Sequence, residues 1–419
     1  MIPNLRERLR TISSNYHSRV EDIDGKTTRP AHGSLGGHII ETRWGKHVLK
    51  RTEVPLGYSY GNIPFERVTH INNPVEHKWF GLNDDDYRYN ITDLVFLDTE
   101  TTGLSRGAGT LAFMVGLGYF NEHCFVIEQH IMRDFDEEFS MLNSILNTLN
   151  NRKILISFNG KSYDYPLLEN RMIINHISPH INHKEFHIDL LHIARRIWST
   201  MLESCSLISL EKNVLEKHRA IDIPGRDIPG VYYKYLQDRD EAAMNIVIEH
   251  NSNDILAMVA LFIKLACMYK DHRTSHLHCQ EWFGMAKSFE AQGDDEMSSY
   301  CYTKSIETGS TPYTGMAARN RLAMLYKRRG QWKPAIKLWK YMVDHGGNFM
   351  ITPLIEIAKY YEHHEQNYEK ALKYTDKAIK RLTHMRIARN APYGMDGINE
   401  IRHRKKRLER KRKSVNEVF

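Results

Sequence analysis

The chain has 419 residues, 41% of them hydrophobic and 26% charged. This is too long for one ordinary domain and points to two or three, with the composition of a soluble globular protein. The net charge is +7, but nine Lys and Arg against three Glu between Glu400 and Phe419 supply +6 of it. A basic surface spread over the whole body is thereby excluded, and any argument from charge applies to the end of the chain alone.

Five cysteines, Cys124, Cys205, Cys267, Cys279 and Cys301, make an odd number without a Cys-x-x-Cys pair, the pattern of reduced thiols. His276, His278 and Cys279 lack a second ligand pair at zinc spacing, so they read as a polar stretch between domains. The first residues hold no apolar core of a signal peptide, and no apolar run approaches the ~20 residues that span a bilayer. The expectation is a soluble, cytoplasmic protein with no membrane partner.

Residues 1–90 are polar and punctuated by Gly33, Gly36 and Gly37, with an acidic run from Asn83 to Asp86. Short strands are expected near 37–43 and 46–51, but the fold of this region is not read. From residue 91 the pattern changes. Leu94-Val-Phe-Leu is a short buried strand; Gly103 and Gly107 mark a turn; Thr110–Phe120 and His123–Met132 read as two more strands. Phe139, Leu142, Ile145, Leu146 and Leu149 recur at helical spacing after Asp136. A fourth strand follows at Ile154–Phe158, a helix near 165–174, a fifth short strand at Phe186–Ile188, and mostly helix to about 270. Three strands followed by alternating helices and strands fit an α/β mixed sheet flanked by helices over 91–270.

Beyond residue 280 the alanines of Ala286-Lys-Ser-Phe, Ala323-Met-Leu-Tyr and Ala358-Lys-Tyr-Tyr lie 37 and 35 residues apart, and Ala335 and Ala371 follow in second helices. Small residues at helix contacts with a period near ~34 predict an all-α domain of TPR-like helical repeats over 280–385, with a protein partner as its natural ligand. The last segment, 386–419, holds nine basic residues in the twelve from Arg402 to Lys413. Self-repulsion should leave this basic tail loosely structured until it meets a polyanion such as nucleic acid.

Hydrolysis of a phosphodiester needs an activated water and neutralised charge on phosphate and leaving group, which two divalent ions held by carboxylates supply. Asp98 and Glu100 end the first buried strand, and positions i and i+2 of a strand point to the same side. Asp164, in Asn159-Gly-Lys-Ser-Tyr-Asp164, follows the fourth strand, where a helix cap is the plainer reading. His250 and Asp254 are i, i+4 neighbours on a helical stretch, and an imidazole there could take a proton from water. Lys161 is placed to meet phosphate. Thr101, Asn159 and Tyr163 are the other candidates for contacting substrate, the aromatic ring by stacking on a base. Asp189, at a helix start, is a fifth acid.

The order Asp-x-Glu, Asp, His-x-x-x-Asp resembles the three motifs of the DEDD exonucleases of the ribonuclease H-like superfamily. Ser157-Phe-Asn-Gly-Lys-Ser-Tyr-Asp-Tyr-Pro, Asp189-Leu-Leu-His-Ile-Ala-Arg-Arg, Cys205-Ser-Leu-Ile-Ser-Leu-Glu and Asp222-Ile-Pro-Gly-Arg-Asp-Ile-Pro-Gly are similar to the bacterial YprB-type members. The resemblance implies a 3′ to 5′ exonuclease acting on single-stranded DNA or RNA. It implies two Mg2+ or Mn2+ ions on Asp98, Glu100, Asp164 and Asp254, with His250 as base. One departure stands out. In the His-type branch the histidine usually precedes the last aspartate by five residues; here the interval is four, the spacing of tyrosine in the other branch. The competing readings are a protein-binding scaffold with a silent nuclease fold, which the retention of all four acids disfavours, and an endonucleolytic ribonuclease H.

Overall fold

The computed structural model describes residues 35–71, 80, 90–103, 109–178, 186–270, 277–309, 312–346, 351–389 and 395–416. Gly33, Gly107, the acidic run Asn83–Asp86 and His276 lie outside the described residues. The chain divides into two compact units, Met1–Ser275 and His276–Phe419.

Among the described residues the first unit has nine strands: β1 (His38–Thr42), β2 (Gly45–Pro55), β3 (Ser59–Tyr60), β4 (Ile63–Pro64), β5 (Leu94–Thr101), β6 (Ala112–Phe120), β7 (Cys124–Ile131), β8 (Ile154–Ser157) and β9 (His187–Asp189). Seven of them form one sheet in the order β1-β2-β7-β6-β5-β8-β9, and β3 and β4 pair separately. Neighbours from β1 to β5 are antiparallel; β5, β8 and β9 run parallel, so the sheet is mixed. The sheet begins upstream of residue 91, because β2 pairs with β7 over eight residues. Its helices are α1 (Glu138–Asn150), α2 (Asp164–Ile174), α3 (Leu190–Trp198), α4 (Leu207–Asn213), α5 (Ile228–Asp238) and α6 (Glu241–Lys270).

Strand alternation explains which side chains meet which helices. Val95 and Leu97 of β5 pack with Val115, Met141, Ile145 and Leu168 on the face covered by α1 and α2. Phe96 points the other way and meets Phe262 of α6, ring centroids 5.9 Å apart. Phe113, the extra residue where the register of β6 shifts, departs from the alternation: with Met114 it joins Met244 and Val247 of α6 and stacks on Tyr232 of α5 at 4.0 Å. Helix α6 is long and apolar enough to cross a membrane, contrary to the expectation from apolar runs, yet 67% of its apolar window is buried within the protein. A helix apolar all round is what the core of a large α/β unit requires.

The second unit contains α7 (Cys279–Ala291), α8 (Asp295–Glu307), α9 (Pro312–Arg328), α10 (Trp332–His345), α11 (Thr352–His363), α12 (Tyr368–Arg389) and α13 (Met395–Asn416). The first six form three consecutive pairs. Ala286, Ala323, Ala335, Ala358 and Ala371 are all fully buried, where a larger side chain would hold the helices apart.

The basic tail is not loosely structured: from Met395 to Asn416 it is helical. Ile398, Ile401 and Leu408 are buried on one side of α13. Repulsion among its cations is answered by Glu362 of α11, 0% exposed, which accepts hydrogen bonds from Arg404 (2.6 Å), Arg407 (2.9 and 3.0 Å) and Lys411 (3.1 Å). Burial alone would raise the Glu362 carboxyl; Arg407 and Lys411 outweigh it and hold it down at about 2.

Candidate active site

Asp98 and Glu100 share the parity of Phe96 and therefore face α6. The register shifts between Glu100 and Thr101, where β6 carries one extra residue, Phe113, opposite the end of β5. Asp98 lies opposite Gly116 of β6, and Gly116 lies opposite Gln129 of β7. Across this row stands Asn251 of α6. Its amide donates to Asp98 Oδ2 at 2.8 Å, and its carbonyl accepts from Gln129 Nε2 at 2.9 Å. Gln129 also donates to the Ile248 carbonyl at 2.7 Å. Glycine is required beneath Asn251, since a Cβ at residue 116 would meet Asn251 Oδ1 at 2.3 Å; one at residue 118 would meet Ile255 at 2.5 Å. The two glycines let α6 approach the sheet closely enough to reach Asp98.

Asp164 comes from the other face. It opens α2, but the capping position belongs to Tyr163, so the plain helix-cap reading does not hold. Thr99, between the two acids of β5, donates its hydroxyl to Asp164 Oδ1. Asp189 anchors the loop that carries Asp164: it accepts backbone N–H bonds from Asn159 (2.8 Å), Lys161 (3.2 Å) and Leu191 (3.1 Å). It is a capping and loop-fixing group rather than a fifth member of the cluster. Within the loop Asn159 adopts a left-handed backbone, φ 67°. Tyr163 donates its hydroxyl to the Gly103 carbonyl at 2.9 Å and lies 3.3 Å from Thr101 Oγ1, so these two candidates meet at the end of β5. Lys161 is exposed.

His250 and Asp254 are neighbours on α6, His250 Nε2 standing 3.6 Å from Asp254 Oδ2 and 4.0 Å from Glu100 Oε1. The opposite ring nitrogen, Nδ1, is held by Asp222 Oδ1 at 2.5 Å. Burial opposes a charged imidazole, but the bond to Asp222 and the negative charges of Asp254 and Asp222 together outweigh it and raise His250 above its ordinary value. Burial also opposes ionisation of Asp222, but His250, Arg219 and the Ile223 N–H together hold that carboxyl low.

Arg219 carries much of the local electrostatics. Its side chain is 5% exposed and reaches three acids at once. It binds Glu211 in bidentate fashion at 3.0 and 2.7 Å, Asp222 at 3.5 Å, and Asp254 through Nη2. Glu211, on α4, also accepts from the Tyr60 hydroxyl at 2.5 Å. Tyr60 is fixed by the β3–β4 turn: Gly61 has φ +58°, and a Cβ there would meet the Leu215 carbonyl oxygen at 1.8 Å.

Negative charge remains undercompensated. Burial, with Asp254 and Asp164 beside it, pushes the Asp98 carboxyl well above the carboxylate range. Burial and the neighbouring acids do the same to Glu100, and burial lifts Asp164 to about 6. Among the described residues no group of three or more His, Cys, Asp or Glu stands in metal-coordinating geometry. The acids are instead turned to internal partners: Asp98 to Asn251, Asp164 to Thr99, Asp254 to Arg219. Chemically the donor set fits a hard divalent cation, being all oxygen and short of positive charge.

The structure thus brings Asp98, Glu100, Asp164, His250 and Asp254 together, with Thr101 and Tyr163 beside them. Sequence reasoning missed Arg219, Glu211, Asn251 and Gln129, and gave Asp222 no role. A signal existed for Asn251, in the Gly116-x-Gly118 interruption of an apolar strand; Arg219 has none.

Residues 95–266 match the model of the RNase_H superfamily. The fold is ribonuclease H-like. The chain is 28% identical over 355 residues to the uncharacterized protein YprB of Bacillus subtilis (strain 168), covering 82% of this chain and 85% of that one. Among solved structures it is similar to the family B DNA polymerase of Pyrobaculum calidifontis, at 10% identity and a TM-score of 0.37, over 59% of this chain and 30% of the polymerase.

Proposed function

We propose that the protein is a metal-dependent exonuclease of the DEDD type that hydrolyses single-stranded nucleic acid from its 3′ end. The observation that carries this reading is the gathering of Asp98, Glu100, Asp164 and Asp254 around the end of β5, three of them held above the ordinary carboxylate range. Such a cluster is costly for the fold and calls for a cation. Asp98, Glu100, Asp164 and Asp254 would hold Mg2+ or Mn2+, which when bound supplies an activated water and neutralises charge on the phosphate.

The remaining roles belong to the chain's own groups. His250 presents Nε2 to the acids while Asp222 fixes Nδ1, so Nε2 is the atom that takes a proton. Its four-residue spacing from Asp254 is compatible with this, because both lie on the same side of a regular helix. Tyr163 and Thr101 offer a ring and a hydroxyl to the terminal nucleotide, and Lys161 offers an exposed cation to its phosphate.

The test uses 3′- and 5′-labelled single-stranded DNA and RNA with Mg2+ or Mn2+. The expected result is shortening from the 3′ end that Asp98→Ala abolishes. No cleavage of either polymer, or equal cleavage by the variant, overturns the proposal; cutting of closed circles replaces it with an endonuclease. In the second unit the recurrent buried alanines favour TPR-like repeats that bind a protein. Recovery of no specific partner on the immobilised full-length chain counts against that reading. The five free thiols fit the proposed cytoplasmic location.

A further inference from the structure

Helices α12 and α13 run antiparallel: Lys411 lies over the Tyr368 ring at 5.8 Å, while Lys405, six residues earlier, meets Asp376 at 2.8 Å. The Lys405–Asp376 pair bridges the two helices at their solvent side. On α12, Lys373, Lys377 and Lys380 lie about 40–100° round the helix from Asp376; on α13, Arg402, Lys406, Arg410 and Lys413 lie about 60–140° round from Lys405. Because the helices are antiparallel, these rotations open toward the same side of the bridge. All seven cations are exposed. Among the described residues none of them has a carboxylate at ion-pair distance, and Lys377 rests on the Tyr374 ring at 5.6 Å.

Among the described residues the acids on that side are Asp376, Glu409 and Glu369. Counted with Lys405, eight cations face three acids, a local charge of +5. The contrast with the inner face is informative. There Arg404, Arg407 and Lys411 are consumed by Glu362, so folding uses part of the basic run. Among the described residues the cations of the outer stripe other than Lys405 enter no ion pair within the unit. From Arg402 to Lys413 it rises ~16 Å along α13.

We propose that this face of α12 and α13 binds the phosphate backbone of a single-stranded nucleic acid, by charge and without regard to sequence. Long aligned rows of cations complement a polymer of regularly spaced anions, and such binding is set by counterion release. The choice of a single strand rests on the nuclease reading; the charged face does not.

The experiment measures fluorescence anisotropy of labelled 20-mer oligothymidylate and oligouridylate with the full-length chain, in EDTA, across a salt series. The variant carries Arg402→Gln, Lys406→Gln, Arg410→Gln and Lys413→Gln together. A matched control carries Lys46→Gln, Arg51→Gln, Lys333→Gln and Lys337→Gln, exposed residues elsewhere. The stripe variant should bind at least about tenfold more weakly. Its slope of log affinity against log salt should fall by up to ~3, since each phosphate contact on a single strand adds ~0.7. The control should change neither. Unchanged affinity and slope in the stripe variant, or an equal loss in the control, overturns the proposal. So does stripe-dependent binding that is tighter to a duplex or to phosphatidylglycerol vesicles. Cleavage is not read, so a chain that binds through the stripe but never cuts would refute the nuclease alone.

Discussion

Arg219→Ala removes the guanidinium that neutralises Glu211, Asp222 and Asp254 from within the protein. Its side chain is 5% exposed and Glu211's is 2% exposed, so solvent cannot take its place. Deleting one partner of a buried, hydrogen-bonded ion network costs about 3–5 kcal/mol, because the remaining charges stay buried. For a unit of this size each kcal/mol lowers Tm by about 2–4 °C, so the first unit should melt about 6–20 °C lower. The sign of the pH effect follows from Glu211, which burial raises above its ordinary value even with Arg219 beside it. Without the arginine the folded state takes up protons that the unfolded chain does not, so the deficit should shrink as pH falls from about 7.5 to about 5.5. Adding Glu211→Gln should recover part of the loss. Calorimetric melts of wild type and variants at the two pH values decide it. A loss below about 1 kcal/mol, or one independent of pH, refutes the assignment of Arg219 as the internal counter-charge.

Gly116→Ala should displace Asn251 and break its bonds to Asp98 and Gln129; one charged and one neutral buried hydrogen bond amount to about 2–4 kcal/mol, readable in urea unfolding, with loss of cleavage. Asp222→Asn should lower kcat about 10- to 100-fold with little change in KM, because His250 loses the group that fixes Nδ1 rather than a contact to substrate; steady-state kinetics separate the two. His47, fully buried against Ser140 and His130, has its pKa lowered to about 4 by burial and by the neighbouring His130 and Arg133. Its neutral form stabilises the fold fully above pH 6.5, and that contribution, about 3 kcal/mol, should vanish as pH falls through 4; denaturant midpoints should show the slope, and His47→Gln should flatten it. Glu362→Ala should expose α13 to proteolysis, since Arg404, Arg407 and Lys411 lose their shared partner.

The acids were legible because their spacing is local. Asp98 and Glu100 are two residues apart on a strand, His250 and Asp254 four apart on a helix, and each interval fixes a shared face before any tertiary structure is known. The strands from β5 to β9 were legible as apolar runs between turn residues. Arg219 was not, because its meaning lies in partners 8, 3 and 35 residues away that the fold alone brings together. The first two strands were expected near 37–43 and 46–51 and stand at His38–Thr42 and Gly45–Pro55, but their place in the main sheet was not legible. β2 is exposed at Arg51, Thr52 and Glu53, and its place is set by the ladder with β7. Helix α13 was misread for a related reason. A count of like charges registers repulsion, while the acid that relieves it, Glu362, lies 42 to 49 residues earlier.

The four-residue interval between His250 and Asp254 has a consequence for heredity. Successive residues advance about 100° round a helix, so a histidine one position earlier, where Glu249 stands, would point well away from Asp222. Interval and anchor therefore form a matched set. Chains that keep the shorter interval should also keep an acid at the position of Asp222 and an arginine at that of Arg219. Chains with the five-residue interval should be free to lose both, and a comparison of enough descendants would show the three positions changing together.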